Sequence, residues 1–151
     1  VVAGFQKALE VAAVEYEGLF DKNGLPIMFH AMAVARPMME EYGEAHAIVG
    51  LLHDAYENPW NTEEDFIGCG EIFGPEIEAA VRAVTKAESE NYLEEYIPRC
   101  FANPIAKAVK VCDLQNNYGG LHNIPNPEDR VRLTAKYAAA LAMAGEENGK
   151  D

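Results

Sequence analysis

The chain has 151 residues, 49% of them hydrophobic and 25% charged, and its 12 Lys+Arg against 25 Asp+Glu give a formal net charge of −13. That length makes a single domain, residues 1–151, able to bury a full core without disulfide or metal staples, and that composition excludes a mainly disordered chain. The acidic balance argues against a duplex nucleic-acid binder, which needs a basic surface to displace counterions, and against a polybasic membrane contact.

The hydrophobic periodicity is helical nearly everywhere. Val2, Phe5, Leu9, Ala12, Tyr16 and Leu19 alternate steps of three and four, predicting an amphipathic helix that Lys22-Asn23-Gly24 ends. Pro26 stands near the start of a second helix with Met28, Met32, Ala35 and Met39 on its apolar stripe, a kink at Pro37 and a stop at Gly43. A third, from Glu44 to about Glu57, is apolar on most faces and should be the most buried, with Asn58-Pro59 stopping it.

Thr62-x-x-Asp65 reads as an N-cap pair for a short helix ended by the glycines at 68 and 70. Gly74-Pro75 opens the next, with Ile77, Val81 and Val84 inward, and Asn91 to Ala102 reads as a helix weakened at Pro98. Asn103-Pro104 and Asn126-Pro127 each pair an N-cap with proline at the first helical position. They start a helix to about Asn117 and an alanine-rich final helix to near Gly145, with a loop at 119–125 between them. The fold class predicted is an all-α bundle.

The longest nearly unbroken apolar run, Ala47 to Leu52, is far short of the roughly 20 residues of a membrane span. Glu10, Glu15 and Glu17 at the N-terminus do not suit a signal peptide, although a start at Val1 leaves excision from a longer chain open. Cys69, Cys100 and Cys112 are scattered, which fits a reducing cytoplasm better than a disulfide framework or a zinc finger.

His53 and Asp54 are adjacent in the most apolar helix, within LLHDAYEN. At roughly 100° per residue Glu57 projects between them, so one imidazole and two carboxylates share a narrow arc. The string has two readings: a converging site, or a helix end where the carboxylates face water and His53 is a satisfied core residue. His30 on the preceding helix, taken alone, reads more often as a core or boundary histidine than as a ligand. Asp113, within KAVKVCDLQNN, shares its helical face with Lys110 and Asn117, which an ordinary polar surface would also produce. Together His30, His53, Asp54 and Asp113 supply two imidazoles and two carboxylates from three helices, a donor set suited to Mn²⁺, Fe²⁺ or Zn²⁺.

The order His…His-Asp…Asp resembles the HD-domain metal phosphohydrolases. DKNGLPIMFHAMAVA resembles the D-K-x-G-x-P-Y-I-x-H-P-x-x-V-A segment of the RelA/SpoT-type alarmone hydrolases. LLHDAYEN resembles their L-L-H-D-x-x-E-D, FGPEIEAAVRAVTK their F-G-x-x-I-x-x-L-V-x-x-V-T, and VKVCDLQNN their V-K-x-A-D-x-x-x-N. The last helix, with Arg132 and Lys136-Tyr137, looks like the family's closing segment.

The resemblance implies an HD-domain helical bundle in which His30, His53, Asp54 and Asp113 hold a divalent metal, usually Mn²⁺. Glu57 would be half of a Glu-Asp pair handling the attacking water, Lys22 would meet a substrate phosphate and Asn117 the nucleotide. The implied reaction releases pyrophosphate from the 3′ position of (p)ppGpp. Asn58 stands where the family has the Asp of that pair, Ile27 where it has Tyr, Ala31 where it has Pro, and Asp21 where an arginine often packs near the guanine. Lys22 and Lys110 are the expected phosphate-gathering cations of this acidic chain, with Arg36 a weaker third. The alternatives are an HD phosphohydrolase for another nucleotide, and a slow or inactive metal- and nucleotide-binding sensor.

Overall fold

Apolar residues spaced three and four apart wind the chain into α-helices in the computed structural model, which describes residues 3–148. Helix α1 (Phe5–Glu15) buries Ala8 and Ala12, and Tyr16 follows at its C-cap. Val2, the first residue of the predicted stripe, lies outside the described residues. The helix is shorter than that stripe: Gly18 takes φ +75°, a conformation open to glycine, and Leu19 emerges 46% exposed. Residues 19–27 instead fold back as a tight hairpin. Phe20 bridges Pro26, Ile27 N donates to the Leu19 carbonyl at 3.0 Å, and Asp21 N donates to that of Leu25 at 2.8 Å.

Helix α2 (Ile27–Glu41) runs through Pro37, and α3 (Glu44–Leu52) packs beside it. The buried face of α2 is Ala31, Val34, Ala35 and Met38, whereas Met32 and Met39 of the predicted stripe are partly exposed. Close approach explains the shift. A Cβ on Gly50 would lie 3.3 Å from Ala35 Cα, so small residues, rather than the bulkiest apolar ones, face α3.

Helix α3 is indeed the most buried, but it ends at Leu52 rather than near Glu57. Past it the pattern tightens to Ala55 N on the Leu52 carbonyl and Glu57 N on that of Asp54. His53 Nδ1 lies 2.6 Å from the Gly50 carbonyl, and the Tyr16 hydroxyl donates to that of Leu51 at 2.5 Å, so the helix end is satisfied by side chains.

Thr62 and Asp65 form the predicted capping box of α4 (Glu63–Phe73). That helix continues through Gly68 and Gly70, since neither carries positive φ, and stops at Gly74, φ +99°. Helix α5 (Pro75–Val84) buries Ile77, Val81 and Val84. The Arg99 guanidinium donates to the carbonyls of Arg82 and Thr85 at the end of α5 while pairing with Glu90. A π-helical turn at Tyr92–Tyr96, N-capped by the Asn91 side chain, leads into α6 (Ile97–Phe101).

The Asn103 side chain accepts from Ala106 N to start α7 (Pro104–Gly119), and Asn126 accepts from Glu128 N to start α8 (Pro127–Asn148). Both Asn-Pro starts are as predicted. α3, α5 and α7 surround a core that includes Ile48, Leu52, Val81, Val109 and Leu114. Among the described residues no helix is long and apolar enough to cross a membrane.

Candidate metal centre and its lysine-lined cavity

The first turn of α2 carries His30, the turn closing α3 carries His53 and Asp54, and the middle of α7 carries Asp113. Packing of α2 and α7 against α3 brings the four together. The Nε2 atoms of His30 and His53 lie 2.7 and 3.2 Å from Asp113 Oδ1, and 4.0 and 3.1 Å from Asp54 Oδ2. One donor atom each from His30, His53 and Asp54 falls within a 4.8 Å cluster.

Neighbours orient both rings. His30 Nδ1 lies 2.8 Å from Asn116 Oδ1 and His53 Nδ1 lies 2.6 Å from the Gly50 carbonyl, so each Nδ1–H has an acceptor. That turns both Nε2 atoms inward toward the carboxylates, the orientation metal-ligating histidines require. His53 is 1% exposed and its Nε2 has no properly aligned hydrogen-bond partner despite the carboxylates nearby. A buried polar atom without a partner is costly, and a cation among those oxygens would relieve it. The donor set of two imidazoles and two carboxylates therefore fits a divalent transition metal.

On their own the four side chains share protons. Burial would lower the His53 pKa, but Asp54 and Asp113 hold it well above the ordinary imidazole value. Burial would likewise raise Asp113, but Lys110 and the two histidines hold it well below the carboxylate range. Lys110 Nζ sits 2.9 Å from Asp113 Oδ2 and over the rings of Tyr92 and Tyr96, and Asn117 Nδ2 donates to Asp113 Oδ1 at 3.1 Å.

Above the cluster opens a cavity of about 730 Å³. Glu57 lines it, reached by water yet deep among protein atoms, and accepts from Lys86 N at 3.2 Å. Burial, then the charge of Asp54, pushes its carboxyl up to about 7. Lys22, Lys86 and Lys136 also line the cavity, and none has a carboxylate within ion-pair distance among the described residues. Other cations, such as Arg36, Arg82, Arg99 and Arg132, are paired with acids. Lys22 Nζ donates to the Tyr137 hydroxyl at 3.2 Å, and Lys136 Nζ lies 4.1 Å from the Tyr92 ring centroid.

Several expectations change. Asn58 does not line the cavity: its amide donates to the Ala55 carbonyl and accepts from Trp60 N, so it shapes the turn after the His-Asp pair. Lys110 lines the cavity, but its charge is engaged by Asp113. Arg36 points to solvent and pairs with Glu40, because its position on α2 lies away from the buried face. Beside that turn Trp60 is 82% exposed, and Tyr56 is buried against Phe66. Lys86, Asn116 and Tyr92 enter the site unforeseen. The sequence signal available for Lys86 was its place just past the end of α5, in the VTK string.

The architecture has known counterparts. No family model matches the chain. A GTP pyrophosphokinase of Myxococcus xanthus is 37% identical over 82 residues, covering 54% of this chain and 10% of that protein. A probable GTP pyrophosphokinase of Mycobacterium leprae (strain TN) is 29% identical over 147 residues, covering 91% of this chain and 18% of that one. The chain thus spans a fifth or less of these relatives' lengths. A solved metazoan ortholog of SpoT, described as hydrolysing ppGpp with a role in starvation responses, superposes with a TM-score of 0.75 at 20% identity. The match covers 96% of this chain and 95% of that one. The fold is therefore the all-α HD-domain fold of that neighbour, and the likeness to RelA/SpoT-type proteins read from the four sequence blocks holds.

Proposed function

We propose that the chain is a metal-dependent phosphohydrolase that releases pyrophosphate from the 3′ position of (p)ppGpp, with His30, His53, Asp54 and Asp113 holding a divalent ion, Mn²⁺ by preference. The observation that carries this reading is the buried His53 Nε2, without an aligned hydrogen-bond partner, behind two carboxylates, Asp54 and Asp113, that line a cavity where three lysines have no carboxylate within ion-pair distance. Cation ligands below and unpaired cations around them suit a polyanion next to a metal. The names of the relatives and of the solved neighbour support a guanosine polyphosphate as that polyanion.

A bound divalent ion lowers the pKa of a water and polarises a phosphoryl oxygen. The chain's own residues supply the rest. Glu57, with a pKa near 7 and a backbone N–H fixing one oxygen, exchanges a proton with water at neutral pH. Lys22, Lys86 and Lys136 take substrate phosphate oxygens. Asn117 and Lys110 act through Asp113, holding its carboxylate anionic and oriented.

The test is hydrolysis of ppGpp with added Mn²⁺, resolving pyrophosphate from orthophosphate, alongside metal content by elemental analysis. Mn²⁺-dependent pyrophosphate release is expected, with both activity and bound metal lost in Asp54→Ala. Orthophosphate released from a different nucleotide would instead identify another phosphohydrolase, and binding without turnover would identify a sensor module. Full metal occupancy in Asp54→Ala would overturn the ligand set.

A further inference from the structure

Helix α1 packs against α3 and α4 against α5, and between α1 and α4 runs a second cavity, a groove of about 550 Å³. It shares no lining residue with the cavity above the metal cluster. Ala3 N donates to the Ile72 carbonyl at 3.0 Å and so ties the start of the chain to α4. Val11, Val14 and Ile72 give the groove apolar walls, Val14 being 73% exposed. Its charge is mostly negative: Glu10, Glu15, Glu64 and Asp65 line it, and its cation, Lys7, pairs with Glu10 at 3.4 Å.

Acidic residues alone make no site, but this groove also holds a buried phenol with nothing to bond. Tyr56 is 6% exposed and its ring packs on Phe66, yet its hydroxyl makes no hydrogen bond among the described residues. The groups whose charges reach that hydroxyl are Cys69, Glu15 and Asp65, all on the groove's lining, so it is turned into the groove. A buried hydroxyl without a partner costs free energy that a ligand can recover. Glu15 is partly buried and also lacks a hydrogen bond or ion pair among the described residues. Burial, then the charge of Asp65, holds its carboxyl above the ordinary value. Asp65 spends Oδ2 on the Thr62 N–H of the capping box.

We infer that the α1–α4 groove is a second binding site, for a small organic cation: an ammonium or guanidinium head carried on an aliphatic stem. The head meets the carboxylates of Glu15 and Asp65 and donates to the Tyr56 hydroxyl oxygen, and the stem covers Val11, Val14 and Ile72. Other ligand classes fit less well. An anion is repelled by the carboxylates. Among the described residues no three acid or thiol groups of the groove converge as His30, His53 and Asp54 do, which disfavours a bare metal ion. A neutral apolar molecule leaves the phenol without a partner and Glu15 beside Asp65 without a counter-charge. The groove's size is that of a small-molecule site. The inference stands apart from the hydrolytic reading, because the two cavities have no residue in common.

The test is an NMR titration of backbone amides at about 0.15 M salt, where diffuse attraction to an acidic surface is screened. The probes are pentylamine, which has head and stem, pentanol, which has the stem alone, and methylammonium, which has the head alone. Pentylamine is expected to shift amides of α1 and α4 saturably and to bind at least about tenfold more tightly than either fragment. Glu15→Gln and Tyr56→Phe should each weaken it by about tenfold, the range of one hydrogen bond to a charged group. Tyr56→Phe keeps the ring that packs on Phe66, so with an unchanged Tm its loss reads the hydroxyl. Glu94→Gln, at an exposed carboxylate lining neither cavity, should change nothing. Absence of saturable shifts, pentanol binding as tightly as pentylamine, or displacement of pentylamine by Mg²⁺ would each overturn the site. So would an equal loss in Glu94→Gln, or undiminished binding in both groove variants.

Discussion

Asp113 is the residue on which the site's electrostatics converge. It is 3% exposed, accepts from Lys110 and Asn117, and has the Nε2 atoms of both imidazoles within 3.2 Å. A buried ion pair adds little net stability, but removing one partner strands the other. Lys110→Met should therefore cost about 3–5 kcal/mol in urea unfolding, and Asp113→Asn in the same chain should recover part of it. The opposite imbalance holds at Lys136. Burial first, then the charges of Lys22 and Lys110, keeps its pKa below the ordinary lysine value. A lysine whose folded pKa is depressed destabilises the fold while both states are charged, and the penalty fades as pH rises through the folded value toward the unfolded one. Wild type should thus gain thermal stability relative to Lys136→Met as pH is taken from 7 to about 10.4, the unfolded lysine value. KM for ppGpp should be higher in that variant at every pH where hydrolysis is measured.

At the scale of elements, the approach of α2 to α3 sets the distance between His30 and His53. Their ring centroids lie 5.1 Å apart, and Gly50 leaves space for neither a shift nor a side chain against Ala35. Gly50→Ala adds a methyl group at 3.3 Å from a backbone atom, so the helices must separate by a few tenths of an ångström. Overpacking of that kind costs about 1–3 kcal/mol. The decisive readout is metal affinity, which should weaken along with stability because the Nε2 atoms belong to different helices. An unchanged Mn²⁺ dissociation constant at reduced stability would show that the two histidines follow each other. The Asn-Pro helix starts and the Thr62–Asp65 capping box were legible in sequence because a cap is a local bond between neighbours. The end of α3 was not, since side chains of Tyr16 and His53 take its last carbonyls.

For the whole molecule, the proposed ligands come from α2, the end of α3 and α7, so an ion binding them ties together the centre of the bundle. Binding to the folded state alone stabilises by about 2.7 kcal/mol at one hundred times Kd. For a chain of this size that corresponds to a rise in Tm of roughly 5–10 °C with Mn²⁺, reversed by EDTA. Asp54→Ala should show no such rise, and equal shifts in both proteins would point to binding elsewhere. The net charge of −13 sets the second global property. Binding the proposed polyanion would require an acidic protein to keep some cations free of its own carboxylates, and Lys22, Lys86 and Lys136 have none within ion-pair distance among the described residues.

The sequence by itself determined the helical class, most helix starts and the residue types of the candidate metal cluster. Those follow from periodicity, local caps and the chemistry of His-Asp pairs in apolar surroundings, all interactions within a few residues. It also carried the four family-like blocks. Only the tertiary structure decided which polar groups share the cavity. Asn58 lies outside its lining, bonded within the turn to the Ala55 carbonyl and Trp60 N. Lys110 became the counter-ion of Asp113, and Lys86 and Lys136 joined from chain segments 50 residues apart. Phe20 and Phe29 could not be told from core residues in the sequence, because apolar character alone does not say whether a side chain meets protein or an open cavity. That depended on where the chain turned back after α1, at Gly18, and on which cavity the hairpin and the first turn of α2 came to line. Spacing along a chain encodes faces of single helices, whereas a site built from several helices depends on the angles and distances at which those faces pack.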